Sequence, residues 1–201
     1  VTHKESGEID EALSYCQRAS EIAPGESAAH NYLSELLLLT EDFSNGWQEY
    51  EWRLHKPEAI ARDFGFKRWE GNAEPGHTVL VYAEQGVGDE IMFSSCIPDL
   101  LSAGVDVIID CDPRLEPIFT RSFPLASIHG GTKEEPSNWT SDHPQITSEC
   151  PIGSLPLHMR KTADAFPSYK SYLIANPDLK AIWSEKLSLL KKPLKIGISW
   201  I

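Results

Sequence analysis

Hydrophobic and polar positions change rhythm along this chain. Through residues 1–54 the pattern is helical: His30, Leu33 and Leu37 stand at i, i+3 and i+7 and predict the inner face of a helix over 27–39. Helices are also predicted over 8–22, stopped at Pro24, and over 43–54. Residues 55–77 have no period and hold Pro57, Gly65, Gly71, Pro75 and Gly76, which reads as a connector. Its aromatic residues Phe64, Phe66 and Trp69 are expected to pin it to a domain surface rather than to bind a ligand. From Thr78 onward, short apolar runs alternate with helical stretches. Thr78–Tyr82 is a β-branched strand. Gly86-Val87-Gly88 turns the chain, and from Asp89 a helical pattern runs through Ile91, Met92, Cys96, Ile97, Leu100 and Leu101. Further strands are predicted over 105–110, 127–129, 145–150 and 194–200, and helices over 115–123 and 177–192. The last helix carries Leu179, Ile182, Trp183, Leu187 and Leu190 on one face. A polar loop is expected over 130–144 and a turn over 151–156. Strands alternating with helices imply an α/β fold with a parallel sheet.

The helical part also repeats itself. Ile9 and Phe43, Ala12 and Gly46, and Cys16 and Tyr50 are each separated by 34 positions, as in 43 − 9 = 34. That is the tetratricopeptide period. Residues 8–22 then read as the second helix of one repeat, and 27–39 with 43–54 as the two helices of the next. Ala12 and Gly46 fit where two helices touch closely, and Ala19 and Pro24 fall where that repeat wants a small residue and a helix stop. About three repeats are usually needed for stability, so this partial array is expected to lean on the domain that follows. The alternative is an unrelated helical hairpin with a coincidental period.

Charge narrows the partners. The formal net charge is −12, and residues 1–55 hold 11 acids against 3 bases. An acidic surface argues against nucleic acid and anionic lipid. No apolar run approaches the ~20 residues that span a bilayer. Cys16, Cys96, Cys111 and Cys150 form no CxxC and read as reduced, mostly buried thiols of a cytoplasmic protein rather than a metal site or a disulfide frame. Asn138-Trp139-Thr140 matches the glycosylation sequon, too short a pattern to carry weight.

The chemistry-bearing stretch is the strand, glycine turn and helix start over residues 78–93. Open α/β sheets bind anionic or sugar ligands in such places. Gly86 and Gly88 either let backbone approach a ligand or supply positive φ. Ile91 stands where a dinucleotide fingerprint needs its third glycine, and the Walker lysine is absent, so NAD and ATP are poor fits. Asp89 at the helix mouth is the leading candidate for chemistry, against a purely structural role as a helix N-cap. Asp110-Cys111-Asp112 spells DxD, and hard carboxylates suit a divalent cation. At the end of only the second strand it reads instead as a solvated strand end, so no metal is assigned. His158, Arg160 and Lys161 read as an exposed basic loop, or as residues facing a cleft.

Three segments together resemble one family: residues 46–53 (GWQEYEWR), residues 83–93 (AEQGVGDEIMF), and Ser154-Leu155-Pro156 with the closing Gly197-Ile198-Ser199-Trp200. They resemble bacterial tetratricopeptide proteins carrying a glycosyltransferase-like domain of the GT-B type. That domain is similar to heptosyltransferases and, more loosely, to O-linked N-acetylglucosamine transferases. The resemblance implies two Rossmann-like halves around a cleft, the first meeting the acceptor and the second binding a nucleotide-sugar. It divides the chain into partial repeats (1–54), a connector (55–77), an N-terminal Rossmann-like half (78–176), and a linking helix with the first strand of a second half (177–201). The chain is then expected to be a piece that begins inside a repeat and ends before the donor half. The resemblance implies that Gly88-Asp89 matches the motif whose Asp is the proposed general base. Beside it, Glu84 and Gln85 flank the glycine turn as candidates to hydrogen-bond sugar hydroxyls, and Gly86 and Gly88 as candidates for close backbone approach to the substrate. No resident cofactor is implied, only a nucleotide-sugar co-substrate, with a protein or glycan acceptor docking on the repeats. The rival reading is a non-catalytic repeat scaffold with a degenerate transferase domain.

Overall fold

The protein is described by a computed structural model covering residues 7–56, 62–72, 74, 76–132, 137–168, 170–190, 194, 196 and 197. The chain opens with helices α1 (Ile9–Ile22), α2 (Ser27–Leu39) and α3 (Phe43–Tyr50), and a 3₁₀ turn over Glu51–His55 extends the last. α2 buries His30, Leu33, Leu36 and Leu37, as its spacing predicts. At Gly46 a β-carbon would come within 2.7 Å of the Leu38 side chain, so α2 and α3 meet too closely for anything larger than glycine without repacking. Ala12 is buried, whereas Ala19 is exposed. His30 joins α2 to α3: its Nδ1 lies 2.5 Å from Glu49 Oε2, and its ring stacks on Trp52 with centroids 4.0 Å apart.

The rest of the chain is α/β. Five strands, β1 (Lys67–Arg68), β2 (Thr78–Tyr82), β3 (Asp106–Cys111), β4 (Ser127–Gly130) and β5 (Ser148–Pro151), form a parallel sheet in the order β1-β5-β2-β3-β4. From β2 the chain builds outward through β3 to β4, then crosses back to lay β5 on the other side of β2. The order therefore reverses between β2 and β5, and the region beyond the carboxyl ends of those two strands is where open α/β sheets set their ligand crevice. One sheet face packs Val79, Val81, Val107 and Ile109 against Phe93, Ile97, Leu100 and Phe119. These come from α4 (Val87–Phe93), α5 (Ile97–Ser102) and α6 (Glu116–Ser122). The other face packs Leu80, Tyr82 and Ile108 against Phe64 and Ile146, with Phe66 and Trp139 beside them. Phe64 and Trp69 are thus buried anchors of the connector, as expected.

Several elements depart from the sequence reading. The helix expected from Asp89 to Leu101 starts two residues earlier at Val87, and a 3₁₀ turn over Ser94–Cys96 breaks it. Pro98 explains the break, because it has no N–H to bond back four residues. The expected turn over 151–156 holds the end of β5, a 3₁₀ turn over Ile152–Ser154 and the start of helix α7 (Leu155–Met159). β1 is two residues of Lys and Arg with no hydrophobic signal, and a 3₁₀ turn over Ser137–Asp142 lies in the expected loop. α8 (Pro177–Ser188) is shorter than predicted, and its apolar face is exposed, Trp183 at 58%. The strand expected over 194–200 falls largely outside the described residues.

The DxD carboxylates are not a solvated strand end. Asp110 is buried and takes both ends of the Arg62 guanidinium at 2.9 Å, while Asp112 pairs with Arg114 at 2.9 Å. Buried charge has to be paired, and here the pair ties the connector to β3. Arg160 and His158 do not form an exposed basic loop either. Arg160 is buried against Asp99 Oδ2 at 2.5 Å, and His158 sits half-buried with its ring edge-on to Trp69 at 5.0 Å; only Lys161 is exposed. Among the described residues no helix is long and apolar enough to cross a membrane.

Cys96, Cys111 and Cys150 are buried, and Cys16 is half-exposed. Burial pushes the Cys96 thiol up to about 11 and also raises Cys111 and Cys150. The thiolate is the reactive form. In native buffer at pH 8, a maleimide should therefore label Cys16 well before the other cysteines, which become reactive on unfolding. Equal native labelling of all four, read by peptide mass spectrometry, would contradict the packing described.

Candidate functional site

The crevice at the strand-order reversal is built from three stretches far apart in sequence. The turn after β2 brings Glu84 and Gln85. The turn after β5 brings Gly153 and Ser154. The end of the helical hairpin, which lies beside the crevice, brings Tyr50, Glu51 and Arg53. The hairpin is held there by aromatic packing: Trp47 and Tyr50 lie 6.2 and 5.8 Å from Phe93, and Trp47 Nε1 donates to the Arg160 carbonyl at 2.9 Å.

At the centre lies Arg53. Its Nε and Nη2 donate to Glu84 Oε1 at 3.1 and 2.8 Å, its Nη2 to Ser154 Oγ at 2.7 Å, and its Nη1 to Glu51 Oε1 at 2.7 Å. The Arg53 and Glu84 side chains are only 5% and 4% exposed. Arg68 closes the network, its Nη2 donating to Glu51 Oε2 at 2.7 Å and to Ser154 Oγ at 2.8 Å. Two guanidinium groups thus face two carboxylates, and the cluster is neutral. Burial works against the Arg53 charge, but Glu84 and Glu51 outweigh it and hold its pKa above the usual arginine range. Gly153 has a packing reason. A β-carbon there would lie 2.7 Å from Glu84 Oε1, 2.8 Å from Gln85 Nε2 and 3.0 Å from Arg53 Nη2.

The sequence-predicted residues divide into two groups. Glu84 and Gln85 are committed inward: Gln85 accepts from Tyr50 Oη at 3.0 Å and donates to Glu84 Oε1 at 3.3 Å. Glu84 Oε2 is buried with no hydrogen-bond partner among the described residues. Gly86, Gly88 and Asp89 lie at the mouth. Asp89 is not the N-cap; Gly86 is. Asp89 stands in the first turn, and its Oδ2 accepts the Gly86 N–H at 3.1 Å. Neither glycine has positive φ, and both are exposed. A β-carbon at Gly88 would meet nothing within 4 Å, and one at Gly86 would meet only Asp89 Oδ2 at 3.3 Å. The fold itself does not need glycine at 88, and at 86 a side chain would have to push the Asp89 carboxylate aside by a few tenths of an ångström. Burial raises the Tyr50 phenol's pKa; the Gln85 bond and Arg53 lower it, and the nearby Asp89 charge adds to the rise.

Tyr50, Glu51, Arg53, Arg68 and Ser154 were not picked out as site residues from sequence. Arg53 and Ser154 are 101 positions apart, and no spacing rule connects them. The one local signal was a Glu-x-Arg pair ending an amphipathic helix. Among the described residues no group of three or more His, Cys, Asp or Glu is arranged to hold a metal ion.

No family model matches this chain, and no solved structure matches it. The chain is similar to Protein FlbA of Caulobacter vibrioides (strain ATCC 19089 / CIP 103742 / CB 15), with 29% identity over 209 residues. The match covers 96% of this chain and 35% of that protein, so the chain spans about a third of its relative's length.

Removing Arg53 would leave Glu84 buried without its counter-ion. Arg53→Ala should therefore destabilise the protein by about 3–5 kcal/mol, the usual cost of orphaning a buried charge. Urea unfolding followed by far-UV circular dichroism measures it. A loss within error of zero would mean that the cluster is hydrated rather than packed.

Proposed function

We propose that this chain is the acceptor side of a two-half GT-B glycosyltransferase, whose donor half lies outside it. The helical hairpin is the end of a tetratricopeptide array that presents a protein or glycan acceptor, and Asp89 is the general base. The co-substrate is a nucleotide-sugar, and no resident cofactor takes part. The reading places the enzyme in the cytoplasm, where its thiols remain reduced.

The observation that carries the proposal is the mouth of the crevice. Two exposed glycines with ordinary φ flank a turn at the point where strand order reverses, and a carboxylate stands beside them. Sugar transfer with inversion needs a base to take the acceptor proton as the hydroxyl attacks the anomeric carbon. Asp89 is on a short helix, half-exposed, with one oxygen engaged by the Gly86 N–H. The glycines leave room for an acceptor to approach. The 34-residue period and the close α2–α3 contact at Gly46 support the repeat reading.

One observation favours the rival scaffold reading. Glu84 and Gln85, which a sugar would be expected to use, are consumed by Arg53 and Tyr50. In that reading the crevice is plugged by the hairpin, and the domain only positions the repeats.

Asp89→Asn separates the two. Asparagine keeps an oxygen for the Gly86 N–H, so stability should barely change. Proton acceptance is lost, so transfer by the full-length protein should fall by about 10²- to 10⁴-fold. The measurement is turnover in a nucleotide-sugar screen, with melting temperature as the control. Wild-type turnover in the Asn variant would remove Asp89 from the chemistry, and no turnover by the unaltered full-length protein with any nucleotide-sugar would favour the scaffold.

A further inference from the structure

The amino ends of the strands hold a second concavity. A groove of ≈ 680 Å³ is lined by residues that include Lys67, Arg68, Trp69, Glu70, His77 and Ser148. The sheet register explains why these residues meet. Ser148 pairs with Lys67 on β1 and with Val79 on β2, so the three side chains stand on one face. His77 precedes Val79 by two residues and shares that face; its carbonyl accepts the Asp106 N–H at 2.9 Å, which carries the extended ladder back to it. The hairpin and α7 cover the carboxyl half of this face, over Val81, Cys150 and Trp69. The amino half is where the groove opens.

Two buried polar atoms here lack partners among the described residues: Ser148 Oγ, in a residue only 8% exposed, and His77 Nδ1. An unmade hydrogen bond on a buried group costs about 1–3 kcal/mol. Thr147, by contrast, has its hydroxyl engaged with the Thr78 backbone at 3.0 and 3.3 Å. Lys67 is exposed and has no ion pair among the described residues. The groove therefore offers a cation, a hydroxyl that can give and take a hydrogen bond, and an imidazole nitrogen. It does so on a chain of net charge −12. Glu70 on the same rim disfavours a dianion.

We propose that this groove is a binding site for a small hydroxylated monocarboxylate, of the sugar-acid type. Its carboxylate pairs with the Lys67 ammonium, and its hydroxyls satisfy Ser148 Oγ and His77 Nδ1. The groove opens toward the amino ends of the strands and shares Arg68 with the Arg53–Glu84 network, but the proposal does not rest on the transferase reading.

The test is isothermal titration of the full-length protein with glucuronate, and with glucose and inorganic phosphate as the alternative arms. Glucuronate should bind saturably, with a Kd near or below about 1 mM. Lys67→Gln should weaken it about tenfold or more, and Ser148→Ala several-fold, since hydrogen bonds to charged groups outweigh neutral ones. Without ligand, Ser148→Ala should leave the melting temperature unchanged or raised, because it deletes an unsatisfied hydroxyl. The proposal fails if glucuronate does not bind, if glucose or phosphate binds as well as it does, or if both variants bind like wild type. It also fails if Ser148→Ala lowers the melting temperature, which would mean that a structural partner already holds that hydroxyl.

Discussion

The contact between Arg53 and Glu84 sets the arrangement of everything around it. Each side chain is almost wholly out of water, and each belongs to a different part of the chain: Arg53 ends the helical hairpin, and Glu84 follows the first long strand of the sheet. Neither charge is tolerable there alone. The pair therefore forces the hairpin end onto the crevice, forces glycine at position 153, and draws Ser154, Glu51 and Arg68 into one neutral network. Dispersion and burial do the rest, through Trp47 and Tyr50 against Phe93. The end of the helical hairpin thus takes its packing partner from the α/β part of the chain.

That arrangement gives the crevice two zones of different character. Its floor is spent on structure, with nearly every strong hydrogen-bonding group facing another. Its mouth is not: Gly88 has neither a conformational nor a packing reason to be glycine, at Gly86 a β-carbon would crowd only Asp89 Oδ2, and Asp89 is half-exposed. A protein that recognises a ligand here would do so at the mouth, with the floor as a rigid base. The same division appears in the buried Arg62–Asp110 pair, which turns an apparent metal motif into a fastening for the connector.

Where hydrophobic period was strong, the sequence could be read closely. α2, β2 and the close approach at Gly46 were legible because burial writes itself into spacing. The failures have common physical causes. β1 is a polar two-residue edge strand that leaves no periodic trace. The break after α4 depends on one proline inside a good amphipathic pattern. Arg160 and Asp110 read as solvated charges, and Arg53 was given no role, because their partners lie at distant positions and only tertiary structure brings them near. The exposed apolar face of α8 is the converse case, a pattern that promised burial which the described residues do not provide. For the site, the glycine turn and its carboxylate were visible from sequence, whereas the network that supports them was not.

The central claim is that hairpin and sheet form one cooperative unit fastened at Arg53 and Glu84. Native-state hydrogen exchange across a series of low urea concentrations tests it most directly. The account predicts that the slowest amides of α2 and those of β2 and β3 converge on one opening free energy, and that Glu84→Ala lowers both sets together. Hairpin amides that open at a much lower free energy than the sheet, and that ignore Glu84→Ala, would contradict it.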